Sequence, residues 1–266
     1  MAQLFHAVIA ENTCLISDDS FGTDLAFGKP TANSYLIVGE SRALLFDLAV
    51  PAPGLRQYAQ SLAQKPLLTV ISHGHPDHIY HMEDFDVLWL NRADWDFPLC
   101  ALAGAELPKK CPQLCDVPDG MQFDLGGRIL DVIAIPGHTM GSILLFDRQT
   151  GILFSGDTVA RRLLYGLTGC PPLSLFCNDL QRLQQLPIRN IYSAHDRAAL
   201  PPDYPSYMSR MLQTKLSAAA ETWQYPGFPL MRRLVTGDEA SPDYFDAAVP
   251  GPGGHAVFLR RKDLNR

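Results

Sequence analysis

The stretch His73-Gly74-His75-Pro76-Asp77-His78 gathers three histidines and one aspartate within six residues. Imidazole and carboxylate groups are suitable ligands for a borderline metal such as zinc. Four such side chains in one tight turn cannot all reach a single tetrahedral ion and still leave a position open. The spacing therefore indicates two ions, with alternate residues of the stretch directed at each. Two adjacent metal ions are typical of a hydrolytic centre.

The sequence before this stretch predicts a β-rich segment interleaved with a helix. Residues 67–72 form a short apolar run that predicts a buried strand ending at the histidines. Ser34–Val38 and residues 43–48 flank the turn residues 39–41, which together predict a hairpin. Residues 53–64 carry apolar side chains at helical spacing and predict a helix. The metal-capable stretch is therefore expected at the end of a strand in a layered α/β structure.

Three further metal-capable side chains each follow a predicted strand and a small residue. They lie in Pro136-Gly137-His138-Thr139, Ser155-Gly156-Asp157-Thr158 and Ser193-Ala194-His195-Asp196. Strand ends in layered proteins commonly carry site residues, and a small residue before them permits a tight turn. Each one taken alone would be an ordinary loop residue. Their order behind the first cluster makes them candidates for the same site.

Composition limits the classes of partner. The chain has 266 residues, 47% hydrophobic and 19% charged, which is enough for a sizeable core. A net charge of −6 without a basic run argues against a nucleic-acid-binding protein. The apolar stretches are too short to span a bilayer and the N-terminus lacks a signal-peptide pattern, so we expect a cytoplasmic protein. The six cysteines are expected to be reduced thiols, because Cys111-x-x-x-Cys115 lacks a second pair for zinc.

These segments, in this order, resemble the metallo-β-lactamase-fold hydrolase superfamily, and Leu45-Phe46-Asp47 resembles its N-terminal part. The resemblance extends from about residue 33 to residue 195. It implies an α/β (α+β) fold, a four-layer αββα sandwich of two mixed β-sheets packed face to face with helices outside. We expect one domain over residues 1–266, with loop excursions near residues 101–120 and 161–172.

The resemblance also implies a role for each candidate. One metal ion would be bound by His73, His75 and His138. The other would be bound by Asp77, His78 and His195, with Asp157 bridging the two. The ions would be divalent, with zinc the default and manganese or iron compatible with the same ligands. They would supply a hydroxide nucleophile, and Asp77 would also accept or shuttle a proton.

Other residues are candidates for supporting roles. Asp47 would accept an imidazole N–H and orient a metal-binding histidine, and a structural cap is an equally compatible role. One member of the set Arg161, Arg162 and Tyr165 would meet an anionic or oxyanion group of the substrate, with a solvated basic pair as the alternative. Tyr80 and His81 stand where many relatives have small residues, so they either line the pocket or pack the start of a helix.

Asp157 separates the reaction classes, because cysteine or serine commonly replaces it in true β-lactamases of this superfamily. The resemblance therefore favours the glyoxalase II/lactonase-like branch, whose members hydrolyse an ester, thioester or lactone bond of a small molecule. β-Lactam cleavage would be at most a side reaction. A small phosphodiester substrate, or a metal-binding module without turnover, remains an alternative. We expect a small-molecule substrate, no nucleic acid and no membrane as partners, and a homo-oligomer is compatible with the sequence.

Overall fold

The computed structural model describes residues 3–18, 33–96, 112–165, 171–196, 198–214, 221–223, 231–236 and 244–250. Within these ranges the chain forms two large mixed sheets, a smaller third sheet and three α-helices. The seven-stranded first sheet keeps the order of the chain. Its strands are β1 (Leu4–Ala10), β2 (Thr13–Asp18), β3 (Ser34–Val38), β4 (Ala43–Phe46), β5 (Leu67–Val70), β6 (Val87–Trp89) and β7 (Gln113–Cys115).

Strand direction changes halfway across the first sheet. Strands β1 to β4 pair antiparallel, and β4 to β7 pair parallel. The predicted hairpin is confirmed as β3 and β4, and the strand predicted before the histidines is confirmed as β5. Because β5 and β6 are parallel neighbours, the segments that follow them leave the sheet at the same edge.

The second sheet has five strands in the order β13-β11-β10-β9-β8. They are β8 (Gln122–Asp124), β9 (Ile129–Ala134), β10 (Ile143–Asp147), β11 (Ile152–Gly156) and β13 (Asn190–Ser193). Tyr35 and Phe46 of the first sheet pack in one core cluster with Leu145 and Phe154 of the second. This cluster lies between the two sheets and joins them face to face.

Helices cover the outer face of each sheet. Helix α1 (Leu55–Ala63) buries Leu55 and Ala59 against the first sheet, in a cluster with Leu45. Helices α2 (Leu173–Arg182) and α3 (Tyr204–Thr214) cover the second sheet. The four-layer sandwich expected from the sequence is thereby confirmed. No helix in the described part of the chain is long and apolar enough to cross a membrane.

A third, four-stranded sheet was not expected. It has the order β12-β16-β15-β14, formed by β12 (Arg162–Leu164), β14 (Glu221–Trp223), β15 (Met231–Thr236) and β16 (Phe245–Pro250). Leu163, Leu234 and Phe245 belong to the core cluster beneath α2 and α3. The third sheet therefore packs on the same side of the molecule as these helices.

Three sequence-based assignments need correction, and a fourth lies outside the described residues. Residues 161–172 were expected to be irregular, but they contain β12, which pairs with residues about 80 positions further along the chain. The apolar stripe that begins at Tyr204 predicts one long helix over residues 204–223, but helix α3 spans Tyr204–Thr214, and Glu221–Trp223 pairs with β15. The excursion at residues 101–120 contributes β7 to the first sheet. The sequence also predicts a closing strand over residues 255–260, which lie outside the described residues.

Candidate metal centre

The seven side chains predicted as metal ligands converge at one edge of the sandwich. The segment after β5 carries the first four of them at the edge of the first sheet. From the second sheet, segments that follow β9, β11 and β13 each carry one more. The side chains form three overlapping groups in which all potential ligand atoms lie within 4.8 Å of one another. These groups are His73, His75 and His138; His73, His78 and Asp157; and Asp77, His78 and His195.

The tightest group consists of three imidazoles. The Nε2 atom of His138 lies 3.1 Å from Nε2 of His73 and 2.9 Å from Nδ1 of His75. On its other side, Nδ1 of His138 lies 2.5 Å from the carbonyl oxygen of Leu164. A carbonyl oxygen only accepts, so Nδ1 carries the proton and Nε2 presents a lone pair to the other two rings.

Ser72 and Asp47 fix the tautomer of His73 in the same way. The Ser72 hydroxyl donates to Oδ2 of Asp47 at 2.8 Å and accepts from Nδ1 of His73 at 2.9 Å. The Nε2 atom of His73 therefore also presents a lone pair, 3.1 Å from that of His138. Two lone pairs facing each other at this distance repel unless a cation lies between them. The donor set and its spacing fit one metal ion held by three imidazole nitrogens.

Asp47 also lies against the second group. Its Oδ2 accepts from Nδ1 of His78 at 3.0 Å, and its Oδ1 accepts from the backbone N–H of Ser72 at 2.6 Å. The residue is buried with φ of 65°, a left-handed conformation that aspartate tolerates better than most residues. The structure thus places Asp47 where an imidazole N–H can be accepted. Its role in orienting metal ligands stays a prediction.

Asp157 stands between the two halves of the site. Its Oδ1 lies 3.4 Å from Nε2 of His78, and its Oδ2 lies 3.3 Å from Nε2 of His195 and 3.5 Å from Nε2 of His138. Oδ2 of Asp77 completes this side, 3.4 Å from Nε2 of His195. One carboxylate therefore faces imidazoles of both groups, as a bridging ligand requires.

The pKa shifts differ between the three-histidine group and the groups that contain a carboxylate. Burial and the neighbouring imidazoles lower the pKa of His73 and His75, which keeps these rings neutral. Burial alone would also lower the pKa of His78, but the nearby carboxylates, Asp157 foremost, raise it to about 10. Burial would raise the pKa of Asp157, but His195 and His78 hold it well below its usual range. The half with carboxylates therefore carries the negative charge that would balance bound cations.

Unpaired buried atoms support the same interpretation. Among the described residues, Nε2 of His78 and Oδ1 of Asp157 are buried without a hydrogen-bond partner, and so are Nε2 of His75 and Nδ1 of His195. Buried polar atoms in folded proteins are almost always satisfied. A divalent cation between His78 and Asp157 would satisfy both of these facing atoms, so the residues present fit a metal centre.

The predicted substrate-contacting residues are distributed unevenly. Arg161 and Arg162 line a cavity of about 160 Å³ together with His195, Asp196 and Tyr244. Tyr165 does not line it, because its ring is buried in the core against Phe176. Tyr80 is half-buried beside Asp77, whose charge and the surrounding burial raise the pKa of the phenol. His81 turns away and approaches the carbonyl oxygen of Val50 with its Nε2 at 3.0 Å, which is a packing role.

Sequence reasoning missed Asp94. This buried carboxylate contacts the backbone N–H groups of Gly74 and Gly141 and the hydroxyl of Thr139. Gly74 lies between two histidines of the first group, and Thr139 follows the third. The sequence position of Asp94, shortly after β6, is the one indication that it could lie near the site, because the parallel strands β5 and β6 end at the same edge of the sheet.

Comparisons with known proteins agree with this fold and site. The sequence model of the Metallo-beta-lactamase superfamily matches residues 28–89. The acyl-coenzyme A thioesterase MBLAC2 of Gallus gallus is 29% identical over 191 residues, which cover 60% of this chain and 69% of the relative. The hydroxyacylglutathione hydrolase of Yersinia pestis (strain Pestoides F) is 29% identical over 152 residues, 56% of this chain and 54% of the relative.

Solved structures share the fold. A metallo-beta-lactamase from Pontibacter korlensis superposes with a TM-score of 0.64 at 22% identity, covering 80% of this chain and all of that one. At this level of identity the similarity concerns the fold alone. The matched family model, the relatives, the shared fold and the order of the His and Asp segments all support the metallo-beta-lactamase superfamily.

Proposed function

We propose that this protein is a dinuclear metal-dependent hydrolase that cleaves a thioester, or a related ester or lactone, in a small molecule. The observation that carries the proposal is the position of Asp157, whose two oxygens face imidazoles of both ligand groups. Two relatives are named as a thioesterase and a hydroxyacylglutathione hydrolase, and they favour a thioester among these substrates.

Two divalent ions, zinc by default, are the proposed cofactors. His73, His75 and His138 would hold one ion, Asp77, His78 and His195 would hold the other, and Asp157 would contact both. When bound, the ions would polarise the substrate carbonyl and lower the pKa of a water molecule towards neutrality. Manganese or iron would be accepted by the same imidazole and carboxylate ligands.

Asp77 is the residue that we assign to proton transfer. Its side chain is 33% exposed, whereas those of Asp157 and His195 are 12% and 11% exposed. The site is therefore most open on the Asp77 side, where substrate and water reach it. Oδ2 of Asp77 is within 3.4 Å of His195 and is positioned to take up the proton that the attacking water loses.

The basic cavity beside His195 is the proposed site for an anionic part of the substrate. Arg161 and Arg162 are half-buried there. Arg162 begins β12, which pairs with β16, and the carbonyl oxygen of Arg161 accepts from the backbone N–H of Asp246 on β16. Asp196 is kept in place by Ser193, whose hydroxyl donates to it at 2.7 Å. Two guanidinium groups next to the reacting centre favour a carboxylate or phosphate group on the substrate.

The test is a substrate panel assayed on metal-reconstituted protein. The panel contains an acyl-coenzyme A, a hydroxyacylglutathione, a p-nitrophenyl ester, a homoserine lactone, bis-p-nitrophenyl phosphate and nitrocefin. We expect the thioesters to have the highest kcat/KM, and Asp77→Ala to lose at least about 100-fold in kcat. Asp131→Ala is the control, since Asp131 is a carboxylate that pairs with Arg148 away from the site.

Each other outcome points to a different function. Turnover of the phosphodiester alone would replace thioester hydrolysis with phosphodiester hydrolysis. A kcat/KM highest for nitrocefin would make β-lactam cleavage the main reaction. Protein that retains its metal but turns over none of the substrates would support a binding module. Less than about one metal ion per carefully prepared chain would contradict the two-metal mechanism itself.

A further inference from the structure

A single buried carboxylate connects the two loops that carry the three-histidine group. Oδ2 of Asp94 accepts from the backbone N–H of Gly74 at 2.9 Å and from the Thr139 hydroxyl at 2.7 Å. Oδ1 accepts from the backbone N–H of Gly141 at 2.9 Å. Gly74 and Gly141 are 67 residues apart, one in the loop after β5 and the other in the loop after β9. Asp94 therefore joins the edge of the first sheet to the edge of the second.

The three imidazoles depend on this connection to different degrees. His73 is held from behind by Ser72, and His138 by the carbonyl of Leu164. His75 has no such support among the described residues, because its Nε2 is buried without a hydrogen-bond partner. The orientation of His75 thus depends on the backbone before it, and the hydrogen bond from Gly74 to Asp94 fixes that backbone.

The negative charge of Asp94 lies next to the loops that carry the three-histidine group. Its hydrogen-bond donors are two amides and a hydroxyl, and no lysine or arginine of the described chain forms a salt bridge with it within 4 Å. The residue is only 5% exposed. A buried carboxylate without a cationic partner is costly unless positive charge lies nearby. A metal ion held by the adjacent imidazoles would supply that charge.

We propose that Asp94 is a positioning residue that sets the geometry of the three-histidine group and thereby its metal affinity. This inference rests on the proposed metal centre. It assigns to Asp94 a function in one of the two ligand groups, because Asp77, His78 and His195 have no contact with Asp94 among its hydrogen bonds. Loss of Asp94 should weaken one metal position and preserve the other.

The test compares Asp94→Asn with the wild-type holoenzyme and with Asp147→Asn. Asparagine has nearly the same shape, but its NH₂ group faces at least one of the three donors and it removes the negative charge. Asp147 is the control for loss of a buried carboxylate away from the site, because it also accepts from a backbone N–H and a hydroxyl, and it pairs with Arg128 at the far end of β10. Both variants lose a buried negative charge, but only Asp94 lies beside the proposed metal centre.

Metal affinity and spectroscopy are the readouts. In Asp94→Asn we expect one zinc position to weaken by about 10- to 100-fold in chelator competition, while the other stays as in wild type. The absorption bands of the cobalt(II)-substituted protein should change accordingly. Asp147→Asn should lower the thermal stability but leave both zinc affinities and the cobalt spectrum unchanged. Equal zinc affinities in Asp94→Asn and wild type would overturn the inference.

A second variant tests the same position without removing the carboxylate. A Cβ atom on Gly141 would lie 2.5 Å from Cγ and 2.7 Å from Oδ1 of Asp94, so Gly141→Ala must displace the carboxylate. We expect the same loss at one zinc position, and unchanged affinity here would contradict the inference. Wild-type protein that binds no zinc at all would instead remove the proposed metal centre, and the role of Asp94 with it.

Discussion

Arg161 and Arg162 are two basic residues, adjacent in sequence, that line the cavity beside His195. Arg161 is also tied to Asp196, to which its backbone N–H donates at 3.2 Å and which its Nε approaches at 3.9 Å. The guanidinium of Arg161 is thus partly neutralised. Both guanidinium groups lie at the cavity wall, where an anionic group of the substrate would meet them.

Replacing these arginines should change substrate selection more than catalysis. For an anionic thioester we expect Arg161→Ala and Arg162→Ala each to lower kcat/KM by about 10-fold, because each guanidinium contributes a charge-assisted contact. For an uncharged p-nitrophenyl ester, kcat/KM should stay nearly constant. Steady-state kinetics on both substrates, with exposed Arg189→Ala as the control, measure this. Equal losses on the charged and uncharged substrates would exclude anion recognition.

At the scale of elements, the site depends on how closely β5 and β11 approach each other. Gly156 ends β11 with φ of 51°, and Asp157 follows it. A Cβ atom at Gly156 would lie 2.6 Å from both Cβ and Oγ of Ser72, which stands between β5 and the histidine stretch. The missing side chain therefore allows the ends of two strands from different sheets to meet. Next to this contact, Oδ1 of Asp157 lies 3.4 Å from Nε2 of His78.

Gly156→Ala should separate these strand ends and weaken the site. We expect a loss of about 1–3 kcal/mol in the free energy of unfolding, from the left-handed backbone and the overlap with Ser72, together with weaker zinc binding. Gly120→Ala is a matched control, since Gly120 also has a positive φ, of 79°, but open space around its Cβ position. Its cost should be limited to backbone strain. Zinc affinity equal in the two variants would argue against the close approach.

The sequence predicted those elements that local pattern determines. The strands that end at the ligands are short apolar runs, and their order reproduces the family's segments, so these elements and the positions of all seven ligand candidates were predictable. Asp94 was not, because its three partners lie 20 to 47 residues away and no spacing rule connects them. The strand β12 was missed for a similar reason, since Arg162–Leu164 becomes a strand only through its distant partner β16.

At the scale of the whole molecule, a buried ion pair joins the two sheets at the end opposite the site. Arg128, just before β9, pairs with Asp147 at 2.5 Å, and both side chains are almost fully buried. The same guanidinium donates to the hydroxyl of Thr13 on β2 and to the carbonyl oxygen of Val38 on β3. One side chain thus contacts both layers of the sandwich. A buried pair of this kind is costly to break and less costly to replace completely.

Arg128→Met should destabilise the protein by about 3–5 kcal/mol, because it leaves Asp147 buried without its partner. The double variant Arg128→Met/Asp147→Leu should be more stable than the sum of the two single changes predicts. Urea denaturation of the metal-loaded protein measures both, with Arg182→Met as the control for an exposed pair, with Asp119. Zinc affinity should be unchanged, since the pair lies at the other end of β9. Additive effects of the two single changes would contradict the coupling.

The candidate metal ligands and the residues that line the cavity belong to different parts of the fold, and this separation has a consequence for how the protein can evolve. All seven ligand candidates follow strands of the two-sheet sandwich, whereas Arg162 lies in β12, Arg161 directly precedes it and Tyr244 directly precedes β16. Substitutions near Tyr244 would therefore alter the proposed substrate cavity while the candidate metal ligands keep their positions. A change of substrate would therefore require few changes at the proposed metal centre. Among homologues, we expect residues 244–250 to diverge with substrate sooner than the segments that carry the histidines.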